Sequence, residues 1–457
     1  MTVSFQELLK KYDVQVPRYT SYPTVPAWTD TPSQEQWFAE ISKTLSGDEA
    51  SWALYVHIPF CETLCTFCGC NTIITRNHRQ EGDYVDLLLK EFSIYLARSP
   101  ELGHKPLRQI HLGGGSPTFL SPESLRKLVD GIFSKIKKTT HNFEASIEVD
   151  PRRTTRAQLQ ALREVGFDRV SLGVQDFNKK VQALINRVQP FEQTEQITLI
   201  SRELGYHSVN FDLIYGLPQQ DLESMKITVE QTLKLRPDRI ALYSFALVPW
   251  IKPAQRLFKD SDLPETEKKR ELYEEARKMF IAAGYVEIGM DHFALPSDSM
   301  VKAQERGELH RNFMGYTDFK TDLLLGLGVS SISESHSMFH QNEKLLPKFT
   351  EALDRQELAT HRGHILNAED QVVRHRILQL MTQFQLLVPT EAEAQILKER
   401  MKGLEADGLI EWSSQKLMIK TAGRPFIRNI CSFVDERLQK ATPATDPSKN
   451  KLFSKSI

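Results

Sequence analysis

Four of the chain's five cysteines fall between positions 61 and 70, in the pattern Cys61-x3-Cys65-x2-Cys68-x-Cys70, and the fifth, Cys431, stands far downstream. This crowding is a poor disulfide framework, because near neighbours close only tiny loops and partners for long loops are missing. In a reducing compartment it reads as a metal site. Structural zinc usually takes its ligands in two separated pairs, which one compact loop does not supply. An iron-sulfur cluster is larger than a single ion and accepts several thiolates from one short loop, so the spacing favours iron-sulfur over zinc.

The cysteines follow the first of six short apolar runs: Ala53–Ile58, Arg108–Gly113, Ala145–Asp150, Arg169–Val174, Ser208–Tyr215 and Arg239–Ala246. Between them lie segments with apolar residues at i, i+3, i+4 spacing, such as Tyr84–Arg98, Ser121–Lys137, Thr154–Gly166, Phe191–Gly205 and Leu222–Leu235. Alternating strand and helix predicts parallel strands with right-handed crossovers. Each run ends in residues that carry chemistry: the cysteines, then Gly113–Thr118, Glu148 with Asp150, Gln175 with Asp176, Asp212, and Ala246. Polar and glycine-rich positions at the carboxyl ends of parallel strands are where such folds build active sites. The expected class is α/β, a partial, open (β/α)6-type barrel rather than a doubly wound sheet.

Outside the barrel, residues 1–50 hold Pro17-Arg-Tyr-Thr-Ser-Tyr-Pro-Thr24, read as an ordered extended arm. The barrel and its extension are assigned 51–365. Helical patterns followed by Gly408–Trp412 and Lys416–Lys420 give 366–440 a winged-helix-like character, and 441–457, rich in Lys, Ser and Pro, is read as a loose tail. Lysine plus arginine (58) nearly cancels aspartate plus glutamate (59), so no long-range field draws the chain to nucleic acid or a membrane. No run approaches the roughly 20 apolar residues of a transmembrane helix, and the N-terminus lacks a signal-peptide h-region. The expectation is a cytoplasmic monomer.

Each site residue has an ordinary alternative. Glycine runs such as Gly113-Gly-Gly115 also make plain turns. Glu148 could be a solvated charge where a strand emerges, and Tyr55 a core tyrosine. A carboxylate inside a strand as apolar as Val209–Tyr215 needs a hydrogen-bonding partner, which singles out Asp212. Cys70 is either a fourth ligand or a small buried filler.

The spacing x3 then x2, with Phe67 before the third cysteine, resembles the radical S-adenosylmethionine superfamily. That likeness implies a 4Fe-4S cluster on Cys61, Cys65 and Cys68, with one iron left open for S-adenosylmethionine, and it leaves Cys70 outside the ligand set. Pro17–Thr24, Tyr55-Val-His-Ile-Pro-Phe-Cys61, Cys68-Gly-Cys70, Gly113–Thr118, Glu148–Arg152, Gly173–Phe177, Asp212–Pro218, Met290–Ala294 and His310–Phe313 together resemble the oxygen-independent coproporphyrinogen III oxidase family, from about residue 15 to 435. The resemblance implies two S-adenosylmethionine molecules per site. The first would touch Tyr55, Gly114, Glu148 and Ile332. The second would touch Phe67, Gly115, Ser116, Gln175, Arg187, Asp212 and Ala246. Tyr55 and Cys70 are the candidate catalytic residues. Ser116 stands where related sequences usually carry threonine, and keeps the hydroxyl.

The implied reaction is oxidative decarboxylation of two propionates of coproporphyrinogen III to vinyl groups, through 5′-deoxyadenosyl radicals, with an unidentified electron donor and acceptor. Arg18, Arg152 and Arg311 are candidates for the substrate carboxylates, each with an ordinary surface or structural ion pair as its alternative. One rival reading is a haem chaperone of the same superfamily, against which the arm and Cys70 argue. A second treats the C-terminal segment as a nucleic-acid reader; its Lys398–Lys402 lacks aromatic interleaving, so a lid or packing role is preferred.

Overall fold

In the computed structural model, which describes residues 4–440 and 453–456, six parallel strands succeed one another across a single sheet. They are β1 (Trp52–Ile58), β2 (Leu107–Gly114), β3 (Thr139–Val149), β4 (Arg169–Gln175), β5 (Ser208–Tyr215) and β6 (Arg239–Ser244). Ala246 lies just beyond β6, in the loop that follows it. Alternate residues of β4 are buried and half-buried, one face lying under helices and the other opening on the barrel interior. The intervening helices start where capping chemistry permits. Ser121 caps Pro122–Phe133, Thr155 and Gln158 form a capping box on Arg156–Glu164, and Asp221 caps Leu222–Leu235.

The barrel is open, as expected, but its sheet is wider than the six units legible in the sequence. A seventh parallel strand, β7 (Leu323–Leu327), pairs with β1 on the side away from β2. Antiparallel strands extend the sheet beyond β7 (Ile332–Glu334, Met338–Asn342, Thr360–Ile365) and beyond β6 (His292–Ala294, Val286–Glu287). The run Leu323–Leu327 lacks the helix that follows each of the first five strands, so strand–helix alternation could not reveal it.

The gap between the two edges is bridged by the hairpin His310–Asn312/Gly315–Thr317, where Phe313 meets the Tyr55 ring at 5.2 Å and Tyr316 meets His292 at 5.2 Å. The N-terminal arm also runs from edge to edge. Arg18 pairs with Asp291 and lies 5.3 Å from the Tyr243 ring, while Trp28 stacks on Phe339 at 5.0 Å. Tyr19 and Tyr22 donate to Asp435 at 3.0 and 3.1 Å, joining the core built by helices Ala368–Gln383 and Glu391–Ala406. Strands Gln385–Leu387, Ile410–Ser413 and Lys416–Ile419 complete that winged-helix-like segment. Of the residues read as a tail, 441–452 and 457 lie outside the described residues; Lys455 bridges to Gln15 and Ser456 donates to the Val14 carbonyl. Among the described residues no helix is long and apolar enough to cross a membrane.

One buried cluster behind the sheet sets the turn between β7 and its antiparallel neighbour. Glu91, on helix Gln80–Arg98, accepts from the Gly328 amide at 2.7 Å and from Asn342 at 2.5 Å, and Tyr84 of the same helix donates to the His57 carbonyl at 2.8 Å. Burial pushes the Glu91 carboxyl up to about 8, the two donors pulling back only part of the shift. An acid raised on folding holds more protons folded than unfolded between the two values. Its contribution is complete below the ordinary value of 4.5 and is lost as pH rises toward about 8. Thermal unfolding midpoints should therefore fall over that interval, and the slope should flatten in Glu91→Gln whatever that variant's absolute stability. An unchanged slope would refute the assignment.

Candidate active site at the mouth of the barrel

The cysteine loop leaves the carboxyl end of β1 and is closed by a short parallel ladder of Phe60–Cys61 with Ile73–Ile74. Its interior is nailed down from outside. The Thr66 amide donates to Ile185 O (3.1 Å), Asn186 to Leu64 O (2.7 Å), Gln255 to Phe67 O (3.0 Å) and Lys252 to Cys70 O (2.9 Å). Cys65 is buried, Cys61 and Cys68 are half-buried, and Cys70 stands at the exposed end of the loop. The Cys70 side chain and amide hydrogen-bond Cys68 and pull its thiol down to about 6 against the effect of burial. Burial, with the neighbouring thiols, pushes Cys61 up to about 12, so its thiolate needs a positive partner.

Among the described residues no group of three His, Cys, Asp or Glu is arranged to hold a single metal ion. Three thiols spread along one anchored loop fit instead a cluster whose ligand positions are themselves spread apart.

The glycine loop that ends β2 is pressed onto the stem of the cysteine loop. The Gly115 amide donates to Ile58 O at 2.8 Å and the Ser116 amide to Phe60 O at 2.9 Å. A Cβ on Gly115 would sit 2.7 Å from Pro59 O, and one on Gly113 would press on Tyr55 and Glu148 at 3.0–3.1 Å. Gly114 adopts φ +115°, with the His57 ring where its Cβ would go. With no Cβ in the way, the glycine backbone offers a close-approach surface at the mouth, suited to the amino-acid end of a small ligand.

Two sets of the sequence-predicted residues come together there. In the first, the Gly114 amide donates to Glu148 at 3.1 Å, and Tyr55 pairs in register with Gly326, whose α-carbon packs on Ile332 O. Two residues the sequence reading passed over complete it. His111 lies 3.3 Å from Glu148, bonds Ser146 at 2.8 Å and stacks on the Tyr55 ring. His57 bonds Tyr55 OH at 3.0 Å and Asn71 O at 2.9 Å. Both histidines stand at alternate positions from Tyr55 and Gly113, so reading β1 and β2 at period two would have placed them on the interior face. His111, the Gly114 amide and His57 hold Glu148 below the ordinary carboxyl value despite its desolvation.

In the second set, Gln175, at φ +69°, and Arg187 converge beside Gly173. Arg187 donates to Gly173 O at 2.5 Å and keeps its buried Nε unpartnered. Phe67 packs in the apolar group that contains Phe245, next to Ala246. The Ser116 hydroxyl lies 3.5 Å from Thr118, which bonds Thr154 at 3.0 Å. Asp212 accepts from Ser171 and Asn210, both at 3.0 Å, yet burial and the charge of Glu148 push it up to about 6. It lines a polar cavity of about 150 Å³ inside the barrel, with His111, Glu148, Tyr243 and His292. Of the three arginines considered for substrate carboxylates, Arg18 is bound to Asp291 and Arg152 to Asp150. Arg311 is buried with Nε and Nη1 unpartnered.

The profile of the Radical SAM superfamily matches residues 55–232, the stretch carrying both the cysteine loop and the glycine loop. A relative from Synechocystis, named oxygen-independent coproporphyrinogen III oxidase, is 39% identical over 100% of this chain and 99% of its own length. One of the same name from Escherichia coli K12 is 39% identical over 95% of each. The solved coproporphyrinogen III oxidase of E. coli, described as a radical SAM enzyme, superimposes with a TM-score of 0.87 at 37% identity, covering 93% of this chain and 100% of that one. The chain belongs to the oxygen-independent coproporphyrinogen III oxidase family. Members of the radical SAM superfamily carry a 4Fe-4S cluster and use S-adenosylmethionine, and the thiols, the side-chain-free glycine loop and the unpartnered Arg187 Nε of this site fit both.

A family site of this kind predicts unequal roles for neighbouring cysteines. Anaerobically purified Cys61→Ala should lose nearly all iron and acid-labile sulfide, whereas Cys70→Ala should keep both near the parent level. Loss of the cluster in Cys70→Ala, or its persistence in Cys61→Ala, would show that the ligand set is wrong.

Proposed function

We propose that this chain converts coproporphyrinogen III to protoporphyrinogen IX without oxygen, turning two propionates into vinyl groups. Each conversion removes one hydrogen atom from a propionate β-carbon, releases carbon dioxide, and passes one electron to an acceptor. The reading rests on end-to-end similarity to relatives of that name, combined with a mouth where three thiols meet two sets of polar side chains.

When bound, the cluster and S-adenosylmethionine supply a carbon radical able to take hydrogen from an unactivated position. The chain's own residues supply position and dryness. Cys61, Cys65 and Cys68 hold the cluster. The glycine-loop backbone and Glu148 receive the amino-acid end of a first S-adenosylmethionine, Glu148 being kept ionised by His111 and the Gly114 amide. Tyr55, walled by His111 and Phe313, and the Ile332 backbone flank that molecule. Phe67, Gly115, Ser116, Gln175, Arg187, Asp212 and Ala246 receive a second, with Asp212 accepting from ribose hydroxyls and Arg187 facing a carboxylate. The hairpin carrying Phe313, together with the arm, keeps water from the radical's path. Arg311 is the favoured anchor for a substrate carboxylate, because its guanidinium is buried with donors to spare. The donor and the acceptor are one-electron carriers. The C-terminal segment acts as packing rather than as a nucleic-acid reader, since Lys398, Arg400 and Lys402 are each paired with a glutamate.

Incubated anaerobically with reductant, S-adenosylmethionine and coproporphyrinogen III, the reconstituted protein should form protoporphyrinogen IX; tight haem binding without product would favour a chaperone instead. Equilibrium binding should give two S-adenosylmethionine per chain. Asp212→Asn should reduce this to one, and in the parent the weaker site should fade as pH falls through about 6, where Asp212 takes up a proton. One site in the parent, or two unchanged in Asp212→Asn, would overturn the second assignment.

A further inference from the structure

The turn that ends β3 places two guanidinium groups on one ligand sulfur. Asp150, Pro151 and Arg152 form a tight bend in which the Arg152 amide donates to Asp150 Oδ1 at 3.1 Å. The Arg152 side chain folds back over the same carboxylate, with Nε at 2.9 Å from Oδ1 and Nη2 at 2.6 Å from Oδ2. This two-point grip aims Nη2 at Cys65 Sγ, 3.7 Å away. Arg187 arrives from the loop that follows the short helix Lys179–Leu184. Its Nη1 lies 3.6 Å from the same sulfur and its Nη2 lies 3.4 Å from Asp150. All three side chains are nearly buried, at 9–13% exposure, so solvent screens them little. Arg153, next in sequence, turns away to Glu62 at 3.1 Å and takes no part.

We propose that Arg152, held by Asp150, is a positioning residue that sets the reduction potential of the cluster through Cys65. The inference rests on the cluster assignment made above. Reduction adds one electron, delivered by a one-electron donor, to a group already negative through its thiolates. No bond is made and no proton moves, so the reduced state carries one more negative charge. An N–H donor and a positive charge at the ligand sulfur stabilise that state more than the oxidised one and raise the potential. Asp150 acts in the opposite sense, by cancelling part of the positive charge while aiming it. The group of two guanidinium ions and one carboxylate has a net charge of about +1. Cys61 and Cys68 have no arginine in hydrogen-bond contact among the described residues, so the effect enters the cluster at one corner.

The two partners therefore predict shifts of opposite sign. In an anaerobic redox titration followed by the electron paramagnetic resonance of the reduced cluster, Arg152→Gln should lower the midpoint. The expected change is about ten-fold in the reduction equilibrium, or ~59 mV for one electron. Asp150→Asn should raise it, because both guanidinium ions remain while the compensating charge is gone. Arg152→Lys should fall between Arg152→Gln and the parent, a lysine keeping the charge without the fork that reaches both Asp150 and Cys65. Iron and sulfide content, measured on the same samples, should stay near the parent level. A midpoint unmoved in both Arg152→Gln and Asp150→Asn with the cluster intact would overturn the proposal. So would loss of the cluster in both, since the pair would then serve assembly. A fall in substrate turnover with an unchanged midpoint would move Arg152 back to substrate binding. If Arg152→Gln alone loses its cluster, the rise in Asp150→Asn carries the proposal and its absence refutes it.

Discussion

Gly115 lies against Pro59 and Phe60 with no room for a single methyl group, and the organisation of the mouth depends on that contact. The amides of Gly115 and Ser116 bond the carbonyls that lead into Cys61, so the cysteine loop and the glycine loop cannot move separately. Gln158, reaching from helix Arg156–Glu164 to the carbonyls of Thr118 and Leu120 at 2.7 Å each, passes the same constraint outward. Thr154 joins it to the turn of Asp150 and Arg152. The strand ends β1, β2 and β3 thus behave as one rigid rim. Such pre-organisation matters most where a reactive species must meet one carbon and not its neighbours.

The interior beneath that rim is unusually polar for a barrel core. Glu144 pairs with Arg169, Arg239 with Asp298, and Ser171, Asn210 and Asp212 share hydrogen bonds. Burying this many polar groups costs stability unless each finds a partner, and most do. The apolar work is done outside, where helices cover the sheet in one continuous core, and at the far side, where the arm's Leu8, Tyr12, Tyr19 and Tyr22 join the C-terminal core. An open sheet has edges, and this chain covers the gap between them with the 310–317 hairpin and an arm anchored at both sides. Access to the mouth is therefore set by segments remote in sequence from the cysteines.

Much of the barrel was legible because its signals are local. The alternation of strand and helix needs only period-two and period-3.6 patterns, and the cysteine spacing needs only ten consecutive residues. The seventh parallel strand escaped because it joins the sheet beside β1 from far along the chain, without a following helix to mark it. His57 and His111 escaped for a different reason. A histidine on a strand carries no message until its neighbours are known, and theirs are Tyr55, Glu148 and Ser146, contributed by three strands. Arg152 was considered for the carboxylates of an anionic substrate or for an ordinary ion pair, and only the fold shows it gripping Asp150, two residues earlier.

The sequence by itself determined the open α/β barrel, the three thiols on one loop and the family to which they belong, because these depend on residues near one another in the chain or on motifs kept in order along it. Only the tertiary structure decided which carboxylates meet which donors. Burial and opposing charge act over a few ångströms, and it is folding that brings Arg152 and Arg187 to the same sulfur, Glu91 to the turn before Ile332, and His111 to Glu148.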